Sequence, residues 1–271
     1  MAASGSGQPC MLPGMDPLRT AALAFAPTAD AHANKVAILA GLEQAAKQRL
    51  HLLATPECSL CGYPAATGVF DGTSCRLAEY EEELLTVAGR LGLVLVLGST
   101  VPDGRGGFHN LAVAGGAVPT VRLAKRVLAP SDRPWFSAGP ARSQLLRVGS
   151  WQVALGICYE IRQAAWWQAA AAAGADATVV ISHQAGADID PGTKAEVLPA
   201  LHATRAAEWA MPLLLANTAA ADRWLDSAAW DARGRRLAAR GEGLLTVELE
   251  HRSRLDPWYE QLRKDALAAG R

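Results

Sequence analysis

Apolar residues in this chain fall into two alternating patterns. Short, nearly continuous apolar runs at 18–26, 50–55, 93–100, 111–114, 118–123, 152–157, 178–182 and 213–216 read as strands. Between several of them the period lengthens to that of a helix. Residues 34–48 form such a segment, with Asn34 as the expected cap. Over 77–91, Leu77, Tyr80, Leu84, Ala88 and Leu91 share one helical face. Residues 163–173, which include an alanine-rich tract, and 194–210 are further helices, and 228–231 with 244–249 read as a closing hairpin. Residues 18–55 thus make a βαβ unit, and the second half repeats the style. No Pro/Gly-rich linker divides the halves. The expectation is one α/β domain over 17–271, a sandwich of sheets with helices on its outer faces, preceded by a flexible leader at 1–16 rich in Gly, Ser, Pro and Ala.

Composition narrows the function classes. Half of the 271 residues are apolar, ample for a substantial core. Twenty-six Lys and Arg balance 26 Asp and Glu, so nothing draws the chain to a phosphate backbone or an anionic membrane surface, and neither nucleic acid nor membrane is an expected partner. No apolar run approaches the ~20 residues that span a bilayer, and the N-terminus lacks a basic region followed by a hydrophobic stretch. A cytoplasmic protein is expected. Five cysteines, an odd count, leave at least one thiol free. Cys58-Ser59-Leu60-Cys61 has the spacing of half a zinc site or of a redox pair, but no second pair or suitably spaced His accompanies it, and buried thiols after a strand are the plainer reading.

Strand ends are where α/β proteins present reactive groups, because the sheet fixes the backbone while the loop leaves the side chain accessible. Three ends carry suitable chemistry: Glu57 after Ala54-Thr55-Pro56, Lys125 after Leu123-Ala124, and Cys158 after Leu155-Gly156-Ile157. Each alone has an ordinary explanation as a turn cap, a solvated strand end or a small core residue. Together they form a set, since a thiol needs a base to become a thiolate, and a cation favours both that thiolate and the oxyanion formed by attack on a carbonyl.

These residues sit in motifs that resemble the nitrilase, or carbon–nitrogen hydrolase, superfamily. Pro56-Glu57 precedes Gly62-Tyr63; Arg122-Leu123-Ala124-Lys125 matches the family's lysine strand end; Gly156-Ile157-Cys158-Tyr159-Glu160-Ile161-Arg162 matches its nucleophile motif; and Arg205-Ala206-Ala207-Glu208, followed by Ala216-Asn217, resembles its Arg-Ala-x-Glu helix and Ala-Asn strand end. The four occur in the family's order, which makes the set far more specific than any one of them. The resemblance implies an α-β-β-α four-layer sandwich that uses no metal or organic cofactor. Glu57 would be the base and Cys158 the nucleophile, with Lys125 and the Tyr159 backbone N–H holding the oxyanion. It also implies a homodimer or larger homo-oligomer built on the helices flanking the nucleophile.

The chain departs from the family pattern around the pocket. Asp132 stands where many members carry a second glutamate; it is expected to orient the substrate or support Lys125, against the alternative of a solvated loop aspartate. The family's Phe-x-Pro-Gly reads Phe136-Ser137-Ala138-Gly139, its Phe-Pro-Glu reads Gln163-Ala164-Ala165, the glycine after Ala-Asn is Ala221 or absent, and Phe-x-Gly-x-Ser reads Trp224-Leu225-Asp226-Ser227. Trp135, Phe136 and His183 are expected at the pocket rim. Arg162 is expected either on a substrate carboxylate or in a structural ion pair, and Trp166 and Trp167 in packing or a subunit interface. The reaction expected is hydrolysis of a small linear amide with release of ammonia or an amine. An N-carbamoyl amidohydrolase, a nitrilase or an acyl-transfer enzyme would use the same residues, and a non-catalytic homo-oligomeric scaffold is the rival from a different class.

Overall fold

The computed structural model describes residues 16–68, 75–140, 145–186 and 192–269, so the expected leader at 1–16, all but Asp16, lies outside them. In chain order the elements are β1 (Leu18–Ala24), α1 (Ala31–Lys47), β2 (Leu52–Ala54), the single turn α2 (Pro64–Thr67), α3 (Cys75–Arg90), β3 (Val94–Pro102), β4 (Phe108–Gly116), β5 (Val121–Ala124), β6 (Leu145–Val148) and β7 (Trp151–Ile157). A 3-10 turn at Cys158–Arg162 leads to α4 (Ala164–Ala172), β8 (Ala177–Ser182), α5 (Thr193–Glu208), β9 (Leu213–Asn217), β10 (Ser227–Trp230), β11 (Arg236–Arg240), β12 (Gly243–Leu249) and α6 (Pro257–Ala269).

The strands form two six-stranded sheets, ordered β12-β1-β2-β3-β4-β5 and β11-β10-β9-β8-β7-β6. Alternate side chains explain why they read as continuous apolar runs. In β2 and β3, Leu52, Val94 and Val96 face the second sheet, meeting Val153, Leu155, Val179, Ile181 and Leu214. Leu53, Leu95 and Leu97 point the other way, into Ile38 and Leu42 of α1 and Leu84 and Ala88 of α3. The second sheet does the same, burying Val180, Leu213 and Leu215 against Trp167, Ala206 and Leu267. A strand covered on both faces has no polar side, so period-two alternation disappears. The result is one α-β-β-α domain, as the resemblance implies.

Three sequence expectations need correction. Asp30, not Asn34, caps α1, accepting N–H bonds from His32 and Ala33 at 2.9 and 3.1 Å. Asn34 is buried inside the helix and holds the loop at Thr28 and Leu60. The opening Ala31-His32-Ala33 carries no apolar period, so the pattern places the start of the helix too late. The expected hairpin of 228–231 with 244–249 does not form. β10 pairs with β11, while β12 crosses to the first sheet and runs antiparallel to all of β1, Leu18 opposite Leu249. β11 is an edge strand with arginine at both ends and half-exposed residues between, so it gave no apolar signal. Finally, β6 and α6 were not read at all. α6 docks through the buried Arg263, which donates to the carbonyls of Trp209, Ala171 and Ala175 at 2.9–3.0 Å, a mode that leaves little hydrophobic stripe. Among the described residues no helix is long and apolar enough to cross a membrane.

Candidate active site

Glu57, Lys125 and Cys158 each follow a strand, β2, β5 and β7, and His183 follows β8. The Glu57 backbone bridges the two sheets, its N–H donating to the Ser182 carbonyl at 3.3 Å. It also lies directly on β3. A Cβ at Gly98 would stand 2.2 Å from the Pro56 carbonyl and 2.5 Å from the Cys58 nitrogen, so only glycine allows this approach. Lys125 is set in register by its N–H to the Asn110 carbonyl at 2.8 Å. Cys158 has φ of +46°, a left-handed conformation that is costly for a residue with a Cβ, and it is partly exposed. Such strain at a strand-to-turn junction is a mark of functional positions.

Lys125 is the centre of the arrangement. Its ammonium is buried 2.6 Å from Glu57 Oε1 and 2.8 Å from Asp132 Oδ2, and both carboxylates are fully buried. Asn110 Nδ2 also donates to Glu57 Oε1 at 2.7 Å, and the His183 backbone N–H donates to Oε2 at 3.0 Å. Asp132 takes the Ala129 N–H on Oδ2 at 2.7 Å and the Tyr63 hydroxyl on Oδ1 at 2.9 Å. Burial alone would push the lysine down, but Glu57, Cys158 and Asp132 outweigh it and hold the ammonium well above its usual range. Asp132 is pushed up by burial and by Glu57, with Lys125 opposing. Burial first, then the Glu57 carboxylate, push the Cys158 thiol up to about 12 against the pull of Lys125. At rest, therefore, Cys158 is protonated.

The turn after Cys158 is held by Glu160, whose carboxylate accepts the N–H groups of Arg126 at 2.7 Å and Ile157 at 3.0 Å. It ties this turn to the residue after Lys125. Tyr63 stacks on the His183 ring with centroids 4.6 Å apart. Burial lowers the His183 imidazole to about 4, so the ring is neutral at pH 7. Asn217 clasps the neighbouring loops, accepting the Gln184 N–H at 2.8 Å and donating to the Leu225 carbonyl at 2.7 Å, while Ser227 bonds its backbone.

The structure thus brings Glu57, Lys125, Asp132 and the His183 backbone together. Phe136 is buried in the helix-facing core of the first sheet, beside Phe108, with half-buried Trp135 packed against the same cluster. Arg162 stands half-buried with its guanidinium 5.7 Å from the Tyr159 ring. Arg205 pairs with Glu208 along its own helix at 2.6 Å. Trp167 is fully buried, its indole N–H bonded to the Ile161 carbonyl, and Trp166 packs edge-on against it. Among the described residues no group of three His, Cys, Asp or Glu is placed to hold a metal ion. Sequence reasoning missed Asn110 and the roles of Tyr63 and Glu160. A lone asparagine within the apolar β4 was the available signal, because a buried amide needs a partner.

Asp132 is fully buried, which removes the solvated-loop alternative. Asp132→Asn should keep the fold, since the amide oxygen can still accept from Ala129 and Lys125 and the amide nitrogen can donate to the Tyr63 oxygen. Loss of the charge should lower turnover by about 10–100-fold. A kcat/KM near wild type would show that Asp132 does not position Lys125.

The sequence matches the carbon–nitrogen hydrolase family over residues 19–253. Among curated proteins none matches the chain. Among solved structures, a cysteine-to-alanine mutant of the Nesterenkonia AN1 amidase from the nitrilase superfamily superposes with a TM-score of 0.75 at 24% identity, covering 96% of this chain and 99% of that one. The NitN amidase of the same organism gives 0.73 at 26% identity, covering 93% and 99%. A glutamate-to-glutamine mutant of that amidase, which shows Michael addition of acrylamide at its active-site cysteine, gives 0.73 at 25%, with the same coverage. With the family's motifs, its four layers and a match over most of its length, this chain belongs to the carbon–nitrogen hydrolase family.

Proposed function

We propose that this chain hydrolyses a small linear amide through a thioester on Cys158. The observation that carries the reading is the buried Lys125 ammonium between two carboxylates at the ends of β2 and the 129–136 loop, beside a thiol at the end of β7. An ammonium has three N–H donors, and Glu57 and Asp132 take two. The third is left for the oxyanion, to which the Tyr159 N–H would also donate.

Glu57 Oε1 already accepts from Lys125 and Asn110, so the proton acceptor is Oε2. A thiol held at about 12 beside a carboxylate is not a standing thiolate. Its proton moves to Glu57 as sulfur attacks the carbonyl carbon, when the negative charge passes to the substrate oxygen facing Lys125. Glu57 then protonates the departing nitrogen, ammonia leaves, and a water deprotonated by Glu57 cleaves the thioester. Acrylamide added at the active-site cysteine of the Nesterenkonia glutamate-to-glutamine mutant supports a pocket that admits a short, uncharged amide.

An ammonia-release screen over aliphatic amides, ω-amido acids, N-carbamoyl amino acids and nitriles tests this. Short amides should release ammonia and, with hydroxylamine present, yield the hydroxamate expected of a trapped acyl-enzyme. Cys158→Ala should do neither. Ammonia release that persists in that variant rules out the thioester route, and turnover confined to carbamoyl compounds or nitriles replaces the substrate class.

A further inference from the structure

The segment between Glu57 and Tyr63 contains two thiols that the proposed reaction does not use. Cys58 and Cys61 are both free and buried. Cys58 adopts φ of +51°, and the Cys61 N–H bonds its carbonyl at 3.2 Å. That closes a turn, and turn ends less than about 7 Å apart overlap the range of roughly 4.4–6.8 Å that a disulfide spans between Cα atoms. The Cys61 thiol donates to the Cys58 carbonyl at 3.8 Å, and the Thr100 hydroxyl donates to Cys61 Sγ at 3.8 Å. The Cys58 hydrogen bond holds the Cys61 thiol below its usual value despite burial, while burial drives Cys58 far up. The turn therefore places one sulfur, which accepts the Thr100 hydroxyl, beside a second positioned to resolve it.

The turn is clamped at both ends. Gly98 seats Pro56 to Cys58 without slack, and a Cβ at Gly62, which has φ of +79°, would stand 2.5 Å from the Thr28 carbonyl. Its flanking residues reach the two carboxylates on Lys125: Glu57 directly, and Asp132 through the Tyr63 hydroxyl. A change of shape inside the turn is passed to those groups because the clamps leave it nowhere else to go.

We propose that Cys58 and Cys61 are a peroxide-oxidisable dithiol, and that its disulfide switches the neighbouring site off by displacing Glu57 and Tyr63. The Cys61 thiolate attacks one peroxide oxygen; an S–O bond forms, the O–O bond breaks, and the departing hydroxide takes a proton to become water. Cys58 then loses its proton and attacks the Cys61 sulfur, forming the S–S bond and releasing a second water. Two thiols and one hydrogen peroxide become one disulfide and two waters. Hydrogen peroxide is small enough to reach a buried thiol pair through brief local openings, and a dithiol reductant reverses the change when the turn opens.

The test has two arms. The modification itself does not depend on the amidase reading and is followed in full-length Cys158→Ala, where the nucleophile cannot compete. After hydrogen peroxide, unfolding and alkylation, peptide mapping should find Cys58 and Cys61 unalkylated in one peptide lighter by two hydrogens, and dithiothreitol should restore both thiols. Alkylation of both, over-oxidation of either, or a disulfide to another cysteine overturns the proposal. The switch rests on the proposed reaction and is read in wild type and Cys61→Ala, with Cys58→Ala as the second variant. Wild-type turnover should fall at least about tenfold in step with the disulfide and return on reduction, as expected when site geometry shifts by a fraction of an ångström. The variants should keep their activity through the same dose. A disulfide that leaves turnover unchanged, or equal inactivation of the variants, overturns the switch.

Discussion

Lys125→Met is expected to lower turnover by at least about a hundredfold and to destabilise the fold as well. The rate loss follows from removing the proposed oxyanion donor. The stability loss follows from burial: Glu57 and Asp132 are both fully buried and lean on the same ammonium. Breaking a buried pair by deleting one partner costs about 3–5 kcal/mol, on the order of 10 °C in Tm for a domain of this size. The penalty should depend on pH. Burial and Glu57 already push Asp132 up while Lys125 opposes them, so deleting Lys125 raises it further. A carboxyl whose folded pKa is raised destabilises the fold above its unfolded value near 3.9, and that loss is relieved as pH falls through the raised folded value. The Tm gap between variant and wild type should therefore narrow from pH 7 to pH 5. A gap that stays constant would mean the carboxylates are not carrying the charge, and turnover above about a tenth of wild type would remove Lys125 from the mechanism.

Glu57→Gln should cost about 100–10,000-fold in kcat, the usual range for a positioned general base, with a smaller change in KM. Glu57 meets three donors: Lys125, Asn110 and the His183 N–H. A glutamine has only one oxygen. If that oxygen keeps Lys125 and Asn110, its NH2 faces the His183 N–H, and the position that would take the thiol proton becomes a donor. The buried mismatch should also cost about 1–3 kcal/mol, visible as a lower Tm. Single-turnover measurement separates the effects, because loss of the base slows thioester formation itself. Unchanged acylation in a folded Glu57→Gln protein would assign the proton transfer elsewhere.

Glu57, Lys125 and Cys158 were legible because each ends an apolar run, and a strand that stops at a titratable side chain marks a position the sheet will hold still. The layers were legible for a related reason. Runs such as Leu52–Ala54 and Val94–Val96 lack a polar side, and only a strand covered on both faces tolerates that. The same property hid the partners. Nothing near Ser227 announces that β10 turns into the arginine-flanked β11, or that β12 returns across the molecule to close on β1. Asn110 lies just outside the apolar run 111–114 and Tyr63 stands in the sequence only as part of a motif, yet one holds Glu57 and the other bonds Asp132 beside the lysine. Local sequence records how each segment is buried and where it stops. Pairings between residues as far apart as Leu18 and Leu249, or Glu57 and Lys125, arise only when the chain has closed, because neither a strand ladder nor a charge buried beside its counter-charge gains free energy until both partners have left water.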